Sequence, residues 1–160
     1  GKTTLINGIL HSIGLLCPND RILVGEDTRE LQCSARNIVF MRTSASVNLS
    51  RIVKAMLRMF PDRIIIGEVR TGEAFDLLMA WNTGHPGGLG TIHADSAAEI
   101  FDRLEELVGE VTARPQHRLI MRSVKVAVFI ERTEEGVRRV TEIRKPTGYR
   151  DGEFQTELIA

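Results

Sequence analysis

At 160 residues, with a formal net charge of +0, 42% hydrophobic and 26% charged side chains, the chain has the size and composition of one ordinary globular domain able to bury a sizeable core. Neutrality leaves no electrostatic footprint for strong nucleic-acid binding or for an anionic membrane surface, and no apolar run nears the roughly 18 residues of a membrane span. Two cysteines, Cys17 and Cys33, are too few for a disulfide framework, and neither belongs to the close Cys or His pair that zinc needs, so a reducing, cytosolic compartment is expected.

The chain begins Gly1-Lys2-Thr3-Thr4 and continues into an apolar helical pattern. Gly-Lys-Thr before such a helix matches the last three positions of the phosphate-binding pattern G-x-x-x-x-G-K-[ST], in which backbone N–H groups and a helix N-terminus hold phosphate oxygens, the lysine reaches the outer phosphates and the hydroxyl meets Mg²⁺. Three residues are a short match, and a helix with a lysine near its start reads the same way. After a turn at Cys17-Pro18-Asn19-Asp20, the run Arg21-Ile22-Leu23-Val24-Gly25 predicts a short strand delivering Glu26 and Asp27. Acids at a strand's carboxyl end lie where open α/β sheets bind ligands; alternatively, Asp27 or Thr28 caps a turn. Residues 31–46 predict an extended segment or a short edge hairpin around Ile38-Val39-Phe40-Met41. Leu49, Ile52, Val53, Met56 and Leu57 predict a helix over 49–59 with Asn48 as N-cap.

Residues 62–94 hold the most informative stretch. Asp62-Arg63-Ile64-Ile65-Ile66-Gly67-Glu68 carries three consecutive isoleucines without alternation, as in a central parallel strand covered on both faces. Its end brings Glu68 beside any ligand, where a carboxylate can hold a Mg²⁺-bound water or orient an attacking one; otherwise Glu68 pairs with Arg63 or Arg70 on the surface. Ala74, Phe75, Leu77, Leu78 and Trp81 predict a helix over 73–81 with Thr71 as a cap. The loop Gly84-His85-Pro86-Gly87-Gly88 follows, and then a short strand, Leu89-Gly90-Thr91-Ile92-His93-Ala94. Either histidine is structural or reports on a phosphate. Asp95 or Ser96 caps a helix through Leu107, Pro115 opens another over 116–122, and 124–132 with 137–144 read as a hairpin. A further hairpin is expected across Asp151-Gly152.

Taken together, four of these motifs resemble the hexameric ATPases of type II and type IV secretion, most nearly the TrbB-type conjugal transfer ATPases, over residues 1–143. Gly1-Lys2-Thr3-Thr4 resembles the end of the family's Walker A loop and Glu26-Asp27-Thr28-Arg29-Glu30 its acidic Asp box. Residues 61–70 resemble its atypical Walker B, with Gly67 where an ordinary Walker B strand has aspartate, and 84–94 its His box. The resemblance implies an α/β fold, a RecA-like P-loop core with a central, mostly parallel sheet and C-terminal β-hairpins. It implies that residues 1–160 are the C-terminal ATPase domain, a fragment beginning inside the Walker A loop, expected to bind ATP poorly alone. It further implies Mg²⁺-dependent ATP hydrolysis by a homo-hexameric ring at the cytoplasmic face of an inner membrane, working with other secretion or conjugation subunits. Carried onto this chain, Gly1, Lys2, Thr3 and Thr4 bind nucleotide, Thr3 and, through water, Glu68 hold Mg²⁺, and Glu68 and Glu26 are the catalytic acids. His93 contacts the γ-phosphate region, with His85 behind it. A small-molecule P-loop kinase would need an acceptor pocket or lid, and a non-catalytic ring subunit would have lost an acid; the chain shows neither an arginine-rich lid nor such a loss.

Overall fold

The computed structural model describes residues 1–160, which divide into two compact units. The first comprises residues 2–69 and 79–91, the second Gly1, 70–78 and 92–160.

In the first unit, helix α1 (Lys2–Leu16) leads to strands β1 (Ile22–Glu26) and β2 (Ile38–Arg42), helix α2 (Leu49–Met56), strand β3 (Arg63–Ile66) and the two-residue strand β4 (Leu89–Gly90). All pairings are parallel, in the order β2-β1-β3-β4, with Val24 opposite Phe40 on one side and Ile65 on the other. The interior strands β1 and β3 are the apolar runs: Ile22, Leu23, Val24, Ile64, Ile65 and Ile66 have no exposure, which explains why they do not alternate. One face, with Ile22, Val24 and Ile65, packs on Ile6 and Leu10 of α1 together with Leu31 and Ala35. On the other, α2 lies so close over β1 that a side chain at Gly25 would meet Ile66, Met56 and Ile52. Asn48 caps α2 by accepting the N–H of Arg51.

The parallel direction gives this sheet two unlike ends. At the amino-terminal end, the Asp62 carboxylate accepts the N–H of Arg21 (2.6 Å), and the Arg21 guanidinium donates to the Met59 carbonyl and the Asn37 side chain. Arg63 pairs with Asp20 (2.6 Å) and reaches the carbonyl of Gly87. At the carboxyl end lie Glu26, Arg42, Gly67 and Thr91.

Helix α3 (Glu73–Asn82) is shared between the units. The second unit adds α4 (Glu99–Gly109), α5 (His117–Ser123) and an antiparallel sheet of β5 (Ala127–Arg132), β6 (Arg138–Arg150) and β7 (Glu153–Leu158). Both expected hairpins form, and β6 is longer than the pattern indicated because it pairs with β5 along its first half and β7 along its second. Asp151 (φ 54°) and Gly152 (φ 86°) supply the two left-handed positions of a tight turn whose twist suits antiparallel strands. Phe101, Leu107 and Ile120 are fully buried, and His117 stacks on Tyr149 with ring centres 3.6 Å apart while contacting Glu105.

The segment around Ile38 takes the extended alternative, a single edge strand parallel to β1. Two other expectations shift on folding. The short strand expected over 89–94 keeps only Leu89–Gly90 as β4. Helix α2 stops at Met56, three residues early; Phe60 then takes a left-handed φ of 52°, turning the chain into β3.

Candidate functional site

The candidate site is built at the carboxyl end of the parallel sheet, where α1 begins. Its first turn contains no acidic residue, so the partial positive charge of the helix N-terminus is uncancelled from within. Lys2 is the first helical residue and Thr3 the second. The Thr3 hydroxyl donates to the carboxylate of Glu30 at 3.0 Å. One turn on, the Asn7 amide donates to the Glu30 carbonyl (3.3 Å), and its oxygen accepts the N–H of Gln32 (2.9 Å). Helix α1 is thereby fastened to the loop after β1 through the face that carries Thr3.

Glu26 ends β1 and is 3% exposed, the one buried charged side chain. Its Oε1 accepts the backbone N–H groups of Glu30 (2.9 Å) and Leu31 (2.7 Å), so the carboxylate folds the acidic loop back on itself. The neighbouring Asp27 accepts the Thr43 hydroxyl (2.9 Å), tying the loop to the end of β2. Of the acids in Glu26-Asp27-Thr28-Arg29-Glu30, the one brought to Thr3 is Glu30, which was not among the expected site residues. The signal was present in the motif, whose two glutamates stand four apart, but only the loop's conformation shows which faces the helix.

Gly67 lies beside Glu26. A Cβ there would stand 3.2 Å from Cγ and 3.6 Å from Oε1 of Glu26. The glycine therefore leaves room for the buried glutamate of the adjacent strand. Gly67 is held on both sides of its residue: its N–H donates to Gly25 O (2.9 Å), and its carbonyl accepts the Thr91 hydroxyl (2.6 Å). Glu68 follows, half-buried, and the next N–H, that of Val69, donates to Thr91 O (2.8 Å).

The other expected residues are placed as follows. Thr4 is exposed on α1. Gly1 belongs to the second unit, beside Ile130 and Arg138. His93 is exposed, two residues beyond Thr91, and also in the second unit. His85 is not brought to the carboxyl end. Its Nδ1 hydrogen-bonds with the carbonyl of Pro61 (2.8 Å), just before β3, whereas Glu68 lies just after it. At ~3.3 Å per residue, the four residues of β3 keep these ends on the order of 13 Å apart. The reason is topological: a loop entering a parallel strand lies at the sheet's amino-terminal end, and 84–88 enters β4. The indole N–H of Trp81 donates to Ile64 O (3.0 Å), packing the helix end against β3 as that loop leaves it.

In the second unit, Thr71 and Glu73 form a compact turn before α3. Partial burial would raise the Glu73 carboxyl, but the Thr71 hydroxyl and the N–H groups of Arg70, Thr71 and Glu73 itself outweigh it and hold the group below its ordinary range.

A phosphate-binding pattern at the start of a helix, a parallel sheet with helices on both faces, and acids at the carboxyl ends of adjacent strands define the RecA-like class of ATPase fold. The family model described as "Type II/IV secretion system protein" matches residues 1–138, and the chain belongs to that family. It is 46% identical over 157 residues to the probable conjugal transfer protein TrbB of Sinorhizobium fredii, covering 98% of this chain and 48% of that protein. It is 47% identical over 160 residues to the conjugal transfer protein TrbB of Rhizobium radiobacter, covering 100% of this chain and 49% of that one. The chain thus spans about half the length of these curated relatives. The crystal structure of the VirB11 ATPase from the Brucella suis type IV secretion system, in complex with sulphate, superposes with a TM-score of 0.82 at 28% identity, covering 91% of this chain and 45% of that one. The pilus retraction motor PilT with bound ADP has the same fold, with a TM-score of 0.70 at 22% identity over 92% of this chain and 45% of that one.

Proposed function

We propose that this chain carries the hydrolytic half of a Mg²⁺-dependent ATPase that assembles as a ring of six and powers conjugative DNA transfer or type IV secretion. The observation that carries the reading is the 3.0 Å bond between Thr3, in the Gly-Lys-Thr turn of α1, and Glu30, in the acidic loop after β1, at the end of the sheet where Glu68 follows β3. The sulphate in the Brucella VirB11 structure and the ADP in PilT support an anion and nucleotide site in this fold.

In this reading, Gly1, Lys2, Thr3 and Thr4 grip the phosphates, with Lys2 on the outer pair. The donor set fits Mg²⁺: a hydroxyl and a carboxylate oxygen side by side are the hard ligands it takes, alongside waters and substrate phosphates. Thr3 would hold the ion directly, and Glu30 and Glu68 through water. Bound there, it neutralises charge developing on the phosphates. Glu68 orients and accepts the proton of the attacking water. Glu26, engaged by two backbone N–H groups, holds the loop that presents Glu30. His93 contacts the γ-phosphate region. The conjugal transfer and secretion relatives support work at the cytoplasmic face of an inner membrane beside other machinery subunits, and the neutral charge supports driving DNA transfer without strong direct DNA binding.

The test is steady-state hydrolysis by the full-length protein and its Glu68→Gln variant, with ATP affinity measured separately. Glu68→Gln should keep ATP affinity within about twofold and lose at least ~100-fold in kcat. Hydrolysis at the parental rate would move the catalytic role to another acid.

A further inference from the structure

We propose that Thr91 is a positioning residue for Glu68, setting the direction of its carboxylate; the inference rests on the catalytic reading of Glu68 above. Strand β4 has only two residues, paired Leu89 with Ile65 and Gly90 with Ile66, so regular pairing ends one position before Gly67 and two before Glu68. A carboxylate on a backbone freed from its ladder would have the whole range of that backbone's motion added to its own.

Thr91 replaces the lost pairing from both of its ends. Its hydroxyl donates to the carbonyl of Gly67 at 2.6 Å, which fixes the peptide plane entering Glu68. Its own carbonyl accepts the N–H of Val69 at 2.8 Å, which fixes the peptide plane leaving it. With Gly67 N–H already on Gly25, the backbone is held at three consecutive points around one glutamate, two of them from a single threonine. Val69 is 4% exposed, so its side chain anchors the far side of the span in apolar packing.

The residue type matters. A parallel ladder uses backbone groups alone, and any side chain at 91 would supply the carbonyl contact to Val69. The contact to Gly67 needs a short side-chain donor, which threonine and serine have and valine, of the same shape as threonine, lacks. Glycine at 67 makes the need sharper, because a residue without a side chain has only its backbone bonds to fix its orientation. Catalytic groups tolerate little misplacement, since an error of about 1 Å in a reacting geometry costs up to ~100-fold in rate.

The experiment compares Thr91→Val and Thr91→Ser in the full-length protein, alone and combined with Glu68→Gln, measuring kcat, nucleotide Kd and the exchange rate of the Val69 amide. Thr91→Val should lower kcat about 10- to 100-fold with Kd changed less than about twofold, and should speed Val69 exchange; Thr91→Ser should restore both. Combined with Glu68→Gln, whose residual rate is read under single-turnover conditions, Thr91→Val should cost nothing further, because a misdirected glutamine loses nothing more. A parental kcat in Thr91→Val beside an inactive Glu68→Gln overturns the positioning role while leaving Glu68 catalytic. The same overturning follows if Thr91→Val weakens nucleotide binding in proportion to kcat, if the loss is undiminished in the Glu68→Gln background, or if serine fails to rescue. Full hydrolysis in Glu68→Gln alone would instead remove the reading on which the inference stands.

Discussion

Replacing Gly67 by alanine isolates the contact between the end of β3 and the buried Glu26. The added Cβ would sit 3.2 Å from Cγ of Glu26, closer than carbon atoms rest, with Oε1 at 3.6 Å and Cβ at 3.7 Å behind it. Glu26 can withdraw only by lengthening its bonds to the N–H groups of Glu30 and Leu31, now 2.9 and 2.7 Å. Crowding of this kind costs about 1–3 kcal/mol. Gly67 does not have a left-handed φ, so alanine meets no backbone strain, and its stiffer unfolded chain returns about 0.4–1 kcal/mol. The net expectation is a loss of about 1–2 kcal/mol, read as a shift in urea midpoint at unchanged slope, with faster exchange at the amides of Glu30 and Leu31. The decisive comparison is the Glu26→Ala background, where the obstructing side chain is gone: there Gly67→Ala should become stabilising by about 0.4–1 kcal/mol. An equal loss in both backgrounds would refute the reasoning, as would a Gly67→Ala protein as stable as the parent. Aspartate at 67 should cost more than alanine, since it sets a second carboxylate against a buried first one.

Two further outcomes follow from other parts of the chain. Asp102 is raised above its ordinary carboxyl value by desolvation and then by the carboxylates of Glu105, Glu153, Glu106 and Glu99. A carboxyl raised in the folded state binds its proton more tightly there, so stability falls as pH rises through that range. Asp102→Asn should therefore raise the thermal midpoint near pH ~7 and lose the advantage as pH drops through the ordinary carboxyl range to about 3; an advantage that persists in acid would contradict the charge argument. At the opposite end of the parallel sheet, a Cβ on Gly88 would fall 1.9 Å from the indole nitrogen of Trp81, which donates to Ile64 O. Gly88→Ala should cost about 1–3 kcal/mol and shift tryptophan fluorescence, and an unchanged emission spectrum would mean that the indole does not move.

What the amino-acid pattern made legible, and what it did not, divides along one physical line. Ile64, Ile65 and Ile66 declare a buried central strand because a run of β-branched residues without alternation has few other places to go, and Asp151-Gly152 declares a tight turn because few residue pairs tolerate two left-handed positions. These are local properties, carried by the residues themselves. His85 and Glu30 carry no such mark. A histidine in a glycine-rich loop beside a strand looks equally suited to either end of a sheet; which end it occupies depends on whether the loop enters or leaves the strand, and this one enters β4 and is tied to Pro61 O. The two glutamates of the acidic loop are alike in type, yet one is consumed by the loop's own N–H groups and the other faces Thr3. Gly67 joins the two kinds of information. As a sequence feature it is an aspartate missing from a familiar position, and only the adjacent strand shows that its place is taken by the side chain of Glu26. The glycine is the space that the buried carboxylate at the end of β1 requires.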